Sequence, residues 1–386
     1  MTAATNFPKE APVSLPTDGL GADARAVASI QSDVERAPRW VTHFSKPPFA
    51  SSLEHARQYL QAGPFVGDAL PKAAAWFLDN YYLLRRASRQ VAEELPRGFV
   101  CHLPQLASGP AKGRPRIEAL SRAVVALSGI ALDLPLLRDY VDAYQEVTPL
   151  TIAELWALPT ILRATVLEHL LQFLGLLGVR GLEVARGGSR LHREGSGPHE
   201  TTPTAVAPTL GVERAIRALR LLDAIDWKVF FSRTSCVEAI LRTDPSFVYG
   251  RMDFVTRDSY RKVVEAVAWA TGRSETDVAD LAVEFARGGE KDERRGHVGY
   301  YLVAEGRSAL ENRLGYRPKG LERVQRLVTH WPTSAYLWPL AVLTAVPCLR
   351  WLGASLTARV TAEELWRGSS RPPYSLYCRS PPCRSR

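Results

Sequence analysis

Cysteine is scarce in this chain, and its spacing excludes more than it suggests. Five cysteines, at 101, 236, 348, 378 and 383, are scattered over 386 residues. They are too few for a disulfide framework and lack the paired CxxC spacing of a zinc site. Cys101 and Cys236 sit in apolar helical surroundings, as buried thiols do, and Cys378 and Cys383 lie in a terminal tail. The opening MTAATNFPKEAPVSLP has neither the basic start nor the apolar run of a secretory signal, which predicts a cytoplasmic start. No GxxxxGK[ST] phosphate loop, GxSxG elbow or HExxH pair occurs. No apolar run alternates with period two, so a sheet-based core is not expected. Lysine is rare beside arginine. With abundant Ala and Leu, that bias reflects a GC-rich coding sequence more than a binding function.

What is present is a core-forming chain. Hydrophobic residues make up 46% and charged residues 23%, the balance of a folded globular protein, and the length has room for two or three domains. The net charge of +9 favours acidic partners such as nucleic acid, anionic lipid or phosphate-bearing molecules. No helix gathers its arginines on one face with interleaved aromatics, so nucleic acid is not an expected partner.

The fold class read from the pattern is all-α: a multi-helix cytoplasmic domain followed by one transmembrane helix. Residues 1–45, rich in Ala, Pro, Thr and Ser, read as a disordered leader. A first helical domain covers 46–179, a Gly/Pro/Thr-rich linker 180–211, and a second helical domain 212–325. Within these, three- and four-residue spacing predicts one helix over 69–95, and further helices fit 115–128 and 133–147, the last with Asp133 as N-cap and Pro135 just inside. Thr151-Ile152-Ala153-Glu154 has capping-box form and opens a helix to about Leu177. That helix is apolar on nearly every face, interrupted by Glu154, Arg163, Glu168 and His169, and it should kink at Pro159. Helices are also predicted over 212–231, 235–242, 257–271 and 275–287, with Ser274 as an N-cap. Residues 327–349, LVTHWPTSAYLWPLAVLTAVPCL, carry no formal charge and cluster aromatics at one end, as a transmembrane helix does. A buried helix is the alternative, and Pro332, Pro339 and Pro347 tell against both. Basic residues from Arg313 to Arg326 would put the preceding side in the cytoplasm. Residues 350–386 form a tail.

Candidate chemistry is thin. The histidines are dispersed, and none pairs with another at metal-ligand spacing; His169 reads as a satisfied core histidine. Asp223 and Asp226 lie three apart and could act as paired carboxylates, or could instead ion-pair with Arg220 or Lys228 or cap a helix. Asp253 and Asp258, with Arg251 and Arg257, form an alternating-charge patch that reads as an ion-paired turn. These four aspartates are the candidate site residues; no catalytic, cofactor-binding or metal-ligating residue is otherwise assigned. Trp76, Trp156 and Trp227 fall inside apolar helical patterns and read as packing residues rather than sugar platforms.

Several long strings resemble the N-terminal region of bacterial cyclic β-1,2-glucan synthases. They are AAAWFLDNYYLL (73–84), ELPRGFVCHLPQLASGPAKGRPRIEALS (94–121), YQEVTPLTIAELWALPTILR (144–163), LDAIDWKVFFSRTSCVEAILRTDPSFVYGRMDFVTRDSYRKVVE (222–265) and HVGYYLVAEGRSALENRLGYRP (297–318). The similarity extends over most of 45–325. It implies an inner-membrane, multidomain enzyme family that polymerises glucose from UDP-glucose with a divalent metal, and a helical, membrane-anchoring and non-catalytic role for the matched region on the cytoplasmic side. The implied partners are the family's glycosyltransferase domain, in cis or in trans, and the membrane. The departures from the family are specific. This chain has no DxD, and its two Arg-Trp pairs follow Arg36 and Pro347 where the family's QxxRW has Gln. The linker at 180–211 is short where the family has more helix. Residues 368–386 match no part of the family and read as the product of a shifted or truncated frame. Two other readings stand beside this one: a separate helical scaffold or regulator that binds a synthase, and an enzyme using the carboxylates at 223, 226, 253 and 258.

Overall fold

The computed structural model describes residues 17–35, 48–63, 69–109, 111–182, 206–289, 292, 294–316, 337 and 340–351. Helices follow one another along the chain: α1 Thr17–Ile30, α2 Phe49–Ala62, α3 Ala69–Asp79, α4 Tyr81–Glu94, α5 Arg97–Val100, α6 Arg116–Leu127, α7 Leu134–Gln145 and α8 Ile152–Leu176. They continue with α9 Pro208–Ala224, α10 Trp227–Thr234, α11 Cys236–Leu241, α12 Phe254–Thr271, α13 Glu275–Gly288, α14 Val298–Val303 and α15 Arg307–Leu314. A single two-residue antiparallel pair, β1 Val34–Glu35 with β2 Gln105–Leu106, accompanies them.

Several boundaries are fixed by side-chain caps. Asp133 accepts from Leu136 N at 2.7 Å, with Pro135 in the first turn of α7. Thr151 and Glu154 satisfy each other's backbone donors at the start of α8, and Ser274 accepts from Asp277 N at 3.0 Å at the start of α13. Each cap occupies a donor that the first helical turn leaves unpaired. The continuous helix expected over 69–95 is instead two, broken at Asn80, whose side-chain amide donates to Trp76 O at 2.8 Å. The helix expected over 212–231 likewise divides, because Ile225 is extended and Asp226 caps a new helix. Helix α1 falls within the stretch read as a disordered leader. It packs on α7 through Leu20, Ala24 and Ala28, and small alanines carry little of the apolar periodicity that reveals a helix.

The transmembrane helix expected at 327–349 is not borne out. Among the described residues no helix is long and apolar enough to cross a membrane. Residues 327–336 and 338–339 lie outside the described residues, and residue 337 and the run 340–351 are helical. The described run contains Pro347, which removes a backbone donor from a helix. The fold class among the described residues is therefore all-α without a spanning helix. The linker stretch 183–205 and the tail 352–386 lie outside the described residues.

Helix α8 is the axis of the packing, with α4, α6 and α9 laid against it. Its apolar circumference is matched by burial: Leu158, Leu162, Val166, Leu167, Leu170 and Phe173 have no exposed surface. Glu154, Arg163 and Glu168 each meet a partner from a neighbouring helix, while His169 bonds within its own. Glu154 accepts two bonds from Arg116 on α6, at 2.8 and 2.5 Å. Arg163 reaches Leu222 O and Asp223 on α9, both at 3.2 Å. Glu168 accepts from Arg122 on α6 at 2.5 Å, and His169 Nδ1 meets Thr165 O at 2.8 Å. Burial opposes the charge on Arg116, but the Glu154 carboxylate more than offsets it. The helix runs on through Pro159.

The α8–α9 contact depends on one missing side chain. A Cβ built on Gly211 would stand 2.5 Å from the Phe173 ring, closer than carbon atoms approach without displacement. Gly211→Ala should therefore lower stability by about 1–3 kcal/mol through overpacking, outweighing the ~1 kcal/mol an alanine gains in a helix. Urea unfolding midpoints of the two proteins check this, and an alanine variant of equal or higher midpoint would show that the helices do not meet so closely.

Candidate functional site

The four aspartates singled out from the sequence do not come together. Asp223 pairs with Arg163 at 3.2 Å and stands 3.8 Å from Arg86. Asp226 caps α10 by accepting from Lys228 N and Val229 N at 3.0 and 3.2 Å. Asp253 caps α12 through Val255 N, Thr256 N and the Thr256 hydroxyl. Asp258 accepts from Arg261 at 3.3 Å and Lys262 at 2.8 Å. Among the described residues no group of three His, Cys, Asp or Glu side chains is placed to hold a metal. Trp156 stacks on Phe231 at 4.9 Å and Trp227 donates to Leu222 O at 3.0 Å, both packing roles. Cys236 is half-buried, and burial, then the Asp142 charge, push its thiol above the ordinary range, the opposite of what a nucleophile needs.

The structure instead gathers charge around Glu238, which has no exposed surface. It accepts from Arg261 at 2.7 Å, Arg242 at 3.0 Å, the Tyr249 hydroxyl at 2.8 Å, and Arg257. The Arg261 guanidinium lies between the rings of Phe231 and Phe254, 4.8 and 4.7 Å from their centres. Burial pushes the Glu238 carboxyl up, but the bonds from Tyr249, Arg242 and Arg261 hold it below its usual value. Tyr249 is raised by its own burial and by the Glu238 charge.

Beside this hub the turn 244–249 and α14 enclose a cleft of about 710 Å³. Asp244, also without exposed surface, organises it. One carboxylate oxygen accepts from Val298 N at 2.9 Å; the other meets His297 Nδ1 at 2.9 Å and the Ser246 hydroxyl at 2.5 Å. Burial raises the Asp244 carboxyl, and the bonds from His297, Ser246 and Val298 N hold it below its ordinary value. Phe247, at the tip of this turn, takes φ of 55° and is 71% exposed, a left-handed conformation that a non-glycine residue adopts at a cost.

Ser246, His297 and Asp244 do not form a nucleophilic triad. Serine and aspartate both meet Nδ1 of the same imidazole, whereas a triad needs the serine on Nε2. Nε2 of His297 is buried and has no hydrogen-bond partner among the described residues. A Cβ on Gly299 would lie 2.7 Å from that nitrogen and 2.5 Å from the Tyr260 hydroxyl, so both groups pack directly against the glycine and leave no room for a side chain there. Val248, Tyr300 and Val303 line the cleft with Tyr260, and Arg294 and Glu305 supply one charge of each sign.

Sequence reasoning missed Glu238, Asp244, His297 and Tyr260. Two signals were there to read: Ser235-x-x-Glu238 has capping-box form, and Thr243-Asp244-Pro245-Ser246 has the composition of a turn. Neither identifies a partner more than fifty residues away.

Comparison with known proteins points to a carbohydrate-polymer synthase. The chain is 29% identical over 344 residues to the cyclic beta-(1,2)-glucan synthase NdvB of Rhizobium meliloti (strain 1021), an alignment covering 72% of this chain and 12% of the synthase. The chain thus resembles a limited part of a much longer protein. No family model matches it.

The hub and the Asp244 turn make stability acid-sensitive in a defined direction. Both carboxyls titrate lower in the folded chain than unfolded, so their contribution is complete above the unfolded values near pH ~4 and is lost as pH falls through the folded ones. The urea midpoint should hold from pH 7 to about 5 and fall below about 4. At pH 7 Glu238→Gln, which leaves buried Arg261 with only the more distant Asp258 as counter-charge, should cost about 3 kcal/mol. A midpoint that is flat down to pH 3, or a Gln variant as stable as the parent, would remove the charged hub from the account.

Proposed function

We propose that this chain is an N-terminal, helical and non-catalytic portion of a cyclic β-1,2-glucan synthase-like glycosyltransferase, whose parent reaction carries UDP-glucose to β-1,2-glucan. The observation that carries the reading is the 29% identity to NdvB over 72% of this chain, within 12% of the synthase's length. The distribution of charge supports it. The aspartates that could have served chemistry are engaged as helix caps or ion pairs, and the buried carboxylates Glu154 and Glu238 are satisfied by arginines. Such a domain contributes a folded surface rather than a reacting group, and its natural partner is the transferase domain of the synthase. UDP-glucose and a divalent metal belong, on this reading, to that partner. The inner-membrane location implied by the resemblance, with this region on the cytoplasmic side, goes with the proposal and not with any helix described here.

Two measurements test it. Purified chain supplied with radiolabelled UDP-glucose and Mg²⁺ or Mn²⁺ should incorporate no label above a buffer blank, and incorporation clearly above it would overturn the non-catalytic assignment. Co-expressed with the tagged transferase domain of a cyclic glucan synthase, the chain should co-purify in stoichiometric amount. Recovery of the tagged domain alone would sink the docking role.

A further inference from the structure

We propose that the outward face of α4 is a docking surface for an anionic phospholipid leaflet. The face is built by the helical repeat. Tyr82, Arg85, Arg86 and Arg89 follow one another at steps of three, one and three residues, which gathers them into an arc of about 100° on the helix. The other side of the same helix, with Leu83, Leu84, Ala87 and Val91, is buried against its neighbours α2, α8 and α9, so the stripe faces solvent. Tyr82 is 69% exposed, and all three arginines are exposed. In this α4 departs from the expectation that no helix collects its arginines on one face with an aromatic among them.

These cations are uncommitted. The arginines of the core, such as Arg116, Arg163 and Arg261, each hold a carboxylate of another segment. On α4, Arg85 and Arg89 form no ion pair or hydrogen bond among the described residues. Arg86 only approaches, at 3.8 Å, the Asp223 carboxylate that Arg163 already holds. A fourth cation, the exposed Arg220 of α9, donates to Asn80 at the start of the helix. An anionic partner therefore meets Arg85 and Arg89 without first breaking an ion pair.

The shape of the face selects a leaflet among anionic partners. Being the outside of one helix it is convex, so its guanidinium groups diverge rather than converge on a single small anion. The cationic stretch is also short, with exposed Asp79 before it and exposed Glu93 one turn beyond Arg89 on the same stripe. A nucleic acid, whose charges are fixed in long ridges, meets those acids as well, whereas lipid headgroups diffuse in the plane and gather under a compact patch. Tyr82 adds a ring with a polar tip, the kind of side chain that favours the headgroup level. Each arginine held near such a surface strengthens attachment about fivefold, and the attraction fades within a Debye length.

The test is co-sedimentation of the full chain with vesicles of phosphatidylcholine alone and of equal parts phosphatidylcholine and phosphatidylglycerol. Binding to the mixed vesicles and not to the neutral ones is expected, weakening as salt rises. Arg85→Gln, Arg86→Gln and Arg89→Gln combined should weaken it about a hundredfold. The same loss of charge at exposed sites off this helix, Arg233→Gln, Arg251→Gln and Arg294→Gln combined, should change it only a few fold. Glutamine keeps the helix propensity of arginine, and the urea midpoint of each variant checks that the fold is intact. No binding to the mixed vesicles, equal binding to the neutral ones, or equal losses in the two triple variants each overturns the assignment. So does displacement by inorganic phosphate at matched ionic strength, or tighter binding to duplex RNA than to the vesicles. The proposal stands apart from the glucan-synthase reading, whose failure registers as loss of co-purification with the transferase domain.

Discussion

The buried pair of Arg261 and Glu238 is the constraint on which the second half of the structure depends. Neither side chain has exposed surface, and a charge so placed is tolerated only beside a counter-charge; Arg261 Nε itself has no hydrogen-bond partner among the described residues. Glu238 collects donors from its own helix, from the turn after it and from α12, and Arg261 is held flat between Phe231 and Phe254. Phe231 in turn stacks on Trp156 of α8. Five separate segments are thereby tied to one arrangement: displacing α11, the turn or α12 breaks hydrogen bonds of the buried charge, and displacing α10 or α8 undoes the ring stacking beside it. Such a pair adds less to net stability than an apolar substitute could; what it enforces is the register of α11, α12 and the turn between them.

The same rule explains the unusual composition of α8. A helix that is apolar on all sides has no preferred rotation about its axis, since any face can be buried. Glu154, Arg163 and Glu168 supply the missing preference, each reaching a complementary residue on α6 or α9. Charges within a greasy helix here specify which neighbour lies on which side. They also account for why the segment is poor membrane material without being a poor core.

What could be read from the sequence divides along the range of the interaction. The caps at Asp133, Thr151 and Ser274 act within three residues, and the sequence pattern located them correctly, along with the helices they begin. The breaks at Asn80 and Ile225 were not legible, because apolar periodicity continues across them and only tertiary packing decides where the chain turns. Helix α1 was hidden for a different reason: its buried contacts are largely alanines. The span expected at 327–349 is not supported, since no described helix is long and apolar enough to cross a membrane. Among site residues, Asp226 and Asp253 look alike in sequence to catalytic carboxylates and differ only in that the backbone donors beside them already occupy their oxygens. His297 was the reverse case. Its interest lies in a partner fifty-three residues earlier and in a glycine two residues on, and spacing alone cannot join the three.

The hub and the cleft are mechanically one feature. Arg261 and Tyr260 are neighbours on α12, one committed to Glu238 and the other bordering the cleft. The turn joining them is fixed at both ends: Asp244 holds its start to His297 and Val298, and Tyr249 at its finish donates to Glu238 while its ring lies 6.0 Å from that of Tyr260. Phe247 can remain in its unfavourable backbone conformation only because these ends are pinned. Loss of the buried ion pair would therefore release the turn and, with it, one wall of the cleft. A wall built in this way is as rigid as the core behind it, which is why a turn between short helices can keep its shape without a sheet to support it.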